Sequence, residues 1–179
     1  VGGRNFEALQ VSVLGYYSYK YDEYACLLEH ELGQFQNMMI DADLVIGYNS
    51  NKFDLPVLKP YCSIDTARVR SLDLLEEITK TLGFRVSLDS VAHATLNVGK
   101  TGHGLDAIEY YRKGEWEKLK SYCLNDVKIT KEVYDFGVRN GLIYFTTRDG
   151  LSKKSVPVIW KAYEAKVDTA VDMQQYRLF

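Results

Sequence analysis

The sequence predicts an α/β domain in which helices pack on a mixed sheet. Three observations indicate this fold: a Val- and Tyr-rich N-terminal run, a continuous apolar run at 44–48 and a long apolar-striped helix at 115–137. The 179 residues suffice for one medium domain with its own core. No apolar run in the sequence is long enough to span a membrane, so we expect no membrane partner.

The order of the predicted elements is strands first, then alternating helices and strands, and finally helices. Partial alternation predicts the first strand, continuous apolar residues predict a strand covered on both faces, and helical spacing predicts the helices. Ser87 is a predicted helix N-cap. The predicted elements are strands at 6–19, 24–28, 44–48 and 68–72, helices at 31–42, 53–61, 74–82, 88–96, 105–113 and 115–137, and a late hairpin of 142–147 and 156–160.

We expect a core domain at residues 1–147 and a basic extension at 148–179. The net charge of −2 does not favour a nucleic-acid partner, so such binding needs a local basic patch. Segment 139–161 has five basic residues and one acidic residue, a net of +4, interleaved with aromatic residues. This pattern is typical of a surface that follows a phosphate backbone and stacks bases. The alternative is a solvated hairpin with ordinary surface lysines.

Cysteine and histidine usage indicates no metal site of the zinc type. The chain contains three cysteines, Cys26, Cys62 and Cys123. Their odd number and spacing favour a reduced, cytoplasmic setting. His93 and His103 have no partners at metal-ligand spacing, and His30 is predicted to lie on the surface.

The long predicted helix contains Tyr122 and Asp126, which lie four residues apart and therefore share a face. Asp126 falls within a wide arc of apolar residues that we expect to be buried. A buried carboxylate is costly without a partner, so Asp126 is protonated, paired with a distant residue or bound to a metal ion. The alternative to a functional site is a core Tyr122, with Asp126 satisfied by a backbone group or a hidden Arg.

A second constellation is Asn49-x-x-x-Phe53-Asp54-x-Pro56, which follows the predicted buried strand at 44–48. Asp54 would emerge at the C-terminal edge of the sheet, where open α/β sheets place their ligands. The alternative is that Asp54 only caps the helix that follows it.

Taken together, the two constellations resemble motifs of the DnaQ-like 3′–5′ exonucleases of the ribonuclease-H-like fold. The narrower resemblance is to their tyrosine-type DEDD branch, which includes YprB-type nucleases and the proofreading domains of family-B DNA polymerases. GYNSNKFDLP resembles the second motif of that family, and YCLNDVKIT resembles the third. The likeness covers about residues 6–147, and the segment between the two motifs resembles the intervening helices.

The resemblance implies hydrolysis of phosphodiester bonds from a 3′ end of DNA or RNA by two divalent ions, Mg²⁺ or Mn²⁺. It implies that Asp126 ligates a metal directly and that Asp54 contributes more loosely, often through water. Tyr122 would orient the attacking water. Asn49 and Phe53 would help to position the terminal nucleotide of a nucleic acid with a 3′ end.

The chain departs from the family in its first motif, Asp-x-Glu, which does not occur in the sequence. We expect this motif and the first strand to lie just upstream of Val1, in a longer protein that carries other domains. The alternative is a catalytically inactive ribonuclease-H-like module that binds nucleic acid or another partner.

A remote alternative is a nucleotide-binding P-loop at Ala94-x-x-x-x-Gly99-Lys100-Thr101. A P-loop follows a strand and opens a helix. The helix predicted at 88–96 disfavours this interpretation, and a connecting or substrate-facing loop is the preferred one.

Overall fold

The computed structural model describes residues 9–98, 104–147, 150 and 152–161. Strands of both parallel and antiparallel pairing alternate with helices, which confirms the predicted mixed α/β class. The elements are β1 (Val13–Ser18), β2 (Glu23–Leu28), α1 (Leu32–Asp41), β3 (Val45–Gly47), α2 (Asp54–Leu58), β4 (Ser71–Asp73), α3 (Leu74–Leu82), α4 (Leu88–Leu96), α5 (Gly104–Lys113), α6 (Trp116–Asn140), β5 (Leu142–Thr146) and β6 (Lys153–Pro157). No described helix has both the length and the apolar character needed to cross a bilayer.

The strands of the described residues form three two-stranded ladders rather than the single mixed sheet predicted from the sequence. β1 and β2 are an antiparallel hairpin, as expected, although the first strand begins at Val13 instead of residue 6. Residues 6–8 lie outside the described part of the chain. β5 and β6 form the late hairpin, with the second strand starting three residues earlier than predicted.

The central ladder is the parallel pair β3 and β4, in which Val45 lies opposite Ser71 and Gly47 opposite Asp73. Both strands therefore end at the same edge, and the loop after Gly47 lies beside the start of α3. The predicted strand at 68–72 begins later than expected because Thr66–Arg68 forms a 3-10 turn. The predicted helix at 53–61 is shorter, since it changes to a 3-10 turn at Lys59–Tyr61.

The main hydrophobic core lies between α3, α4, α6 and the β5–β6 hairpin. Two hydroxyl groups of helix α4 form hydrogen bonds with the backbone of β5, in the way that a neighbouring strand would. The Ser90 hydroxyl donates to Thr146 O at 3.0 Å and accepts from Thr146 N at 3.1 Å. Thr95 makes the same two contacts with Tyr144, at 2.8 and 2.9 Å. Ser87 caps α4 as predicted, accepting from Ser90 N.

The expected burial of the α6 arc is wrong at its N-terminal end and at Asp126. Trp116 is 43% exposed and Asp126 is also exposed. The buried positions of α6 are Leu119, Val133, Tyr134 and Gly137. Two apolar stripes along a helix do not reveal which of them meets the core, because that choice is made by the elements packed against the helix.

The C-terminal half of α6 is anchored by Trp160, which is 1% exposed and whose ring stacks near Tyr134 with centroids 6.1 Å apart. Phe145 is also buried, at 4% exposure. The prediction that these two aromatic residues interleave with basic side chains on a surface is therefore wrong. Their large apolar area is instead used to fill the core.

Replacing Gly137 by Ala is expected to destabilise the protein by about 1–3 kcal/mol, because the added methyl group would overlap the Trp160 ring. Gly33 is the matched control: it also lies in a helix, but an added Cβ meets nothing within 4 Å. Gly33→Ala should stabilise by roughly 0.5 kcal/mol through helix propensity. Urea unfolding measures both changes, and equal effects of the two substitutions would contradict the packing of Gly137 on Trp160.

Candidate active site

The loop between β3 and α2 contains two of the predicted site residues, Asn49 and Phe53, and a third, Asp54, begins α2. Asn49 has a left-handed backbone, with φ of 68°, which an Asn adopts more readily than most residues. Its carbonyl accepts a hydrogen bond from Phe53 N at 3.1 Å, and its side-chain oxygen accepts from Arg85 Nη2 at 2.7 Å. The loop is therefore a closed turn whose first residue is held in place from outside.

Asp73 ties this loop to the start of α3. Its carboxylate is 2% exposed and accepts hydrogen bonds from the backbone N–H of Asn49 at 2.8 Å and of Asn51 at 3.1 Å. It also accepts from Leu75 N at 3.0 Å and Glu76 N at 3.3 Å, which makes it the N-cap of α3. One buried side chain thus serves both the helix and the candidate site.

Asp54 is the first residue of α2 and does not cap it: the N-cap position is Phe53, and no side chain makes the cap hydrogen bond. The alternative interpretation of Asp54 as a mere helix cap is therefore not supported. Asp54 keeps solvent-accessible surface, yet the pKa of its carboxyl group is raised to about 6, mainly by desolvation in the surrounding protein, against which a backbone hydrogen bond acts, and with a smaller contribution from the charge of Asp73.

Tyr122 and Asp126 lie on α6, the first half-buried and the second exposed. Burial raises the pKa of the Tyr122 phenol above its ordinary value, and the negative charges of Asp126 and Asp106 add to the rise. The phenol therefore stays protonated at neutral pH and can donate a hydrogen bond. Because Asp126 is exposed, its position on the helix does not require a buried cation or protonation.

Cys123 connects the two constellations. Burial, the neighbouring Cys26 and the charges of Asp126 and Asp54 together raise the pKa of its thiol to about 12. Both carboxylates therefore lie within electrostatic range of one half-buried thiol, although they belong to different helices, α2 and α6. The helix can approach this closely because β1 has a glycine there: a Cβ on Gly15 would lie 2.8 Å from Cys123 Sγ.

The carboxylates of Asp54 and Asp126 are hard oxygen donors of the kind that Mg²⁺ and Mn²⁺ prefer. Among the residues that the structure describes, no group of three or more His, Cys, Asp or Glu side chains is arranged to hold a metal ion. Asp54 and Asp126 therefore fit as part of a donor set, and a complete two-metal site requires further ligands.

Three residues near the site were missed in the sequence. The sequence does indicate Asp73 as a helix N-cap, because Asp73-Leu-Leu-Glu76 has the spacing of a capping box ahead of an apolar helix. Arg85 and Asp106 had no such signal, since they reach Asn49 and Tyr122 only through the fold. The three cysteines are free thiols in the structure.

The P-loop interpretation fails on its structural context. The segment before Gly99 is the helix α4, whereas a phosphate-binding loop must follow a strand. Residues 99–103, which include Lys100 and His103, lie outside the described part of the chain. His93 and His30 are exposed.

Comparison with known proteins identifies the superfamily. A family model, RNase_H_2, described as RNase_H superfamily, matches residues 6–138. No curated protein and no solved structure matches the chain. Proteins of this superfamily generally hydrolyse nucleic acids and typically use divalent metal ions. Because the match spans most of the sequence, the ribonuclease-H-like prediction is confirmed, and the chain belongs to the ribonuclease H superfamily.

Proposed function

We propose that this domain is a 3′–5′ exonuclease of the DnaQ-like, tyrosine-type branch and hydrolyses phosphodiester bonds of DNA or RNA. The observation that supports this most is the joint action of Asp54 and Asp126 on Cys123. It supports the proposal because carboxylates from two segments that are distant in the sequence both lie within electrostatic range of the same thiol. Tyr122 lies one helical turn from Asp126 on the same face of α6.

In this proposal Asp126 holds a divalent ion directly, Mg²⁺ or Mn²⁺, and Asp54 holds it more loosely. When bound, the ions supply Lewis-acid activation of water and stabilise the leaving oxygen. The protonated phenol of Tyr122 donates a hydrogen bond that orients the attacking water. Phe53, which is 41% exposed, offers its ring to the terminal base, and Asn49 holds the loop that positions the terminal nucleotide.

The test is an assay of the full-length protein on a 5′-labelled single-stranded oligonucleotide with Mn²⁺ or Mg²⁺. An exonuclease of this class gives a ladder that shortens from the 3′ end, and a blocked 3′ end stops it. Internal cleavage of the blocked substrate would contradict the 3′–5′ direction. The expected Asp-x-Glu motif upstream of residue 1 stays a prediction, which the complete coding sequence tests.

A second candidate function is a catalytically inactive ribonuclease-H-like module that binds nucleic acid or another partner. The observation that favours it is the lack of a three-ligand metal cluster among the described residues. It predicts binding of the same oligonucleotide without any metal-dependent shortening. The assay described above therefore separates the two functions.

The raised pKa of Asp54 predicts a pH-dependent stability difference in the metal-free protein. The folded pKa of about 6 exceeds the unfolded value of about 4. Ionisation of Asp54 therefore opposes folding, and the free energy of unfolding falls as the pH rises through the window from about 4 to about 6. Asp54→Asn should therefore unfold at a higher temperature than the wild type above this window, with the difference vanishing at about pH 4.

Thermal unfolding in EDTA across this pH range measures the effect. Asp43→Asn is the control, since Asp43 is an exposed acid away from the site. Added Mn²⁺ should stabilise the wild type more than Asp54→Asn. A stability difference that is the same at every pH would contradict the assigned ionisation.

A further inference from the structure

A groove of about 780 Å³ lies between residues 84–90, helix α4 and the β5–β6 hairpin. Its size is within the range of roughly 300–1,000 Å³ that is usual for ligand pockets. The side chains that matter for its chemistry are Phe84, Arg85, Asp89, His93, Thr147 and Lys154.

The charges of the groove favour an anionic partner. Arg85, from the segment before α4, and Lys154, from β6, are exposed cations that line the groove, and Asp89 is the acid among its lining residues. The Ser87 hydroxyl accepts from Ser90 N and keeps its own proton as a donor that suits a phosphate oxygen. This arrangement is complementary to a phosphate backbone that runs along the groove.

Phe84 supplies an aromatic surface in the same groove. The residue is 40% exposed, and its ring meets the ring of buried Phe145 edge to face, with centroids 5.9 Å apart and planes at 68°. The contact holds Phe84 in place while part of its ring stays in solvent. An aromatic ring that is immobilised and accessible can stack a base with little further loss of side-chain freedom.

The groove is connected to the loop that leads into Asp54. Arg85, which follows Phe84 directly, donates a hydrogen bond from Nη2 to the side-chain oxygen of Asn49 at 2.7 Å. The aromatic surface is thus one residue from a side chain that reaches the loop before α2. A polymer lying in the groove would reach the candidate active site at this point.

We propose that this groove binds single-stranded nucleic acid, with phosphates at Arg85 and Lys154 and a base stacked on Phe84, and leads the strand to Asp54 and Asp126. A single strand is required because the faces of paired bases are covered by their neighbours in a duplex. The direction towards the carboxylates rests on the proposed exonuclease function, whereas binding in the groove does not.

The test measures fluorescence anisotropy of labelled oligo-dT and oligo-U with the full-length protein in EDTA. Phe84→Leu, which keeps apolar bulk but loses the ring, should weaken binding by about 5- to 150-fold, the range for one base–aromatic contact. Phe84→Tyr should restore binding. Tyr21→Leu is the matched control, since Tyr21 is 62% exposed on the distant β1–β2 turn.

Salt dependence tests the phosphate contact. Lys154→Gln should reduce the slope of log K against log salt concentration by about 0.7, the value for one phosphate contact to a single strand. Lys153→Gln is the control on the same strand. The Lys153 ammonium lies 4.2 Å from the centroid of the Tyr144 ring, so this cation packs on an aromatic ring and not in the groove. Lys153 does not line the groove.

Wild-type binding by Phe84→Leu and Lys154→Gln, or equal affinity for a duplex of the same sequence, would overturn the proposal. Stronger binding of either oligo-dT or oligo-U supports it, and oligo-dU, which has the base of oligo-U and the sugar of oligo-dT, identifies the preferred sugar. The proposed exonuclease is judged separately: loss of binding in the groove variants, together with a wild type that hydrolyses nothing, would support the groove and reject the nuclease.

Discussion

Replacing Asp126 by Asn is expected to lower the rate of 3′-end hydrolysis on the order of 10³-fold or more, because a metal-bound carboxylate contributes several kcal/mol to transition-state stabilisation. The amide is nearly isosteric but uncharged, so it is a far weaker ligand for a hard divalent ion. Asp126 is exposed on α6. Its substitution should therefore change the free energy of unfolding by no more than about 0.5 kcal/mol.

The measurement is the single-turnover rate with Mn²⁺ and Mg²⁺, with the unfolding free energy determined in parallel. Glu117→Gln is the matched control, because Glu117 is an acid on the same helix whose side chain is 90% exposed. Its activity should equal that of the wild type. Activity of Asp126→Asn within a few-fold of the wild type would exclude Asp126 as a metal ligand.

The second large effect is expected for Asp73→Ala, which should destabilise the protein by about 2–4 kcal/mol, from loss of a helix cap and from backbone donors left without a partner. Asp73 is 2% exposed and accepts from four backbone N–H groups, two in the loop before Asp54 and two in the first turn of α3. Activity should fall as well, since the loop that holds Asn49 loses its anchor.

Asp65→Ala is the control for Asp73, because Asp65 also caps a helical turn but is exposed and accepts one backbone N–H, that of Ala67 at 3.2 Å. Its loss should cost about 0.5–1 kcal/mol. Asp73→Asn keeps one acceptor oxygen, so its loss of unfolding free energy should lie between those of Asp73→Ala and Asp65→Ala. If urea unfolding gives Asp73→Ala and Asp65→Ala the same cost, the double role of Asp73 is wrong.

Much of the secondary structure could be predicted because its signals are local. α1, α3, α4 and the long helix α6 lie within three residues of their predicted bounds, and the N-terminal hairpin forms as predicted although its first strand begins at Val13. Ser87 was identified as a cap from its position before an apolar run, and it makes that contact. Helical periodicity and caps depend on neighbours within one or two turns, so they are visible in the sequence.

The candidate site was predictable only in part. Asp54, Tyr122 and Asp126 stood out by their spacing within two motifs, while Asp73 and Arg85 act on the same loop from positions 24 and 36 residues away from Asn49. Contacts over such separations produce no periodic pattern in the sequence. The exposure of Asp126 was also not predictable from local spacing, because the apolar arc of α6 is wider than the face that the core covers.

By itself, the sequence determined the two motifs, the helices that bear them and the fold class, since these follow from residue spacing and local hydrogen bonding. The tertiary structure alone decided which face of α6 is buried, that Trp160 fills the core, and that Phe84 and Lys154 line the same groove. The physical reason is that burial and long-range side-chain contacts are properties of elements packed together, as in the hydrogen bond that Tyr19 Oη donates to Asp135 Oδ1 across 116 residues.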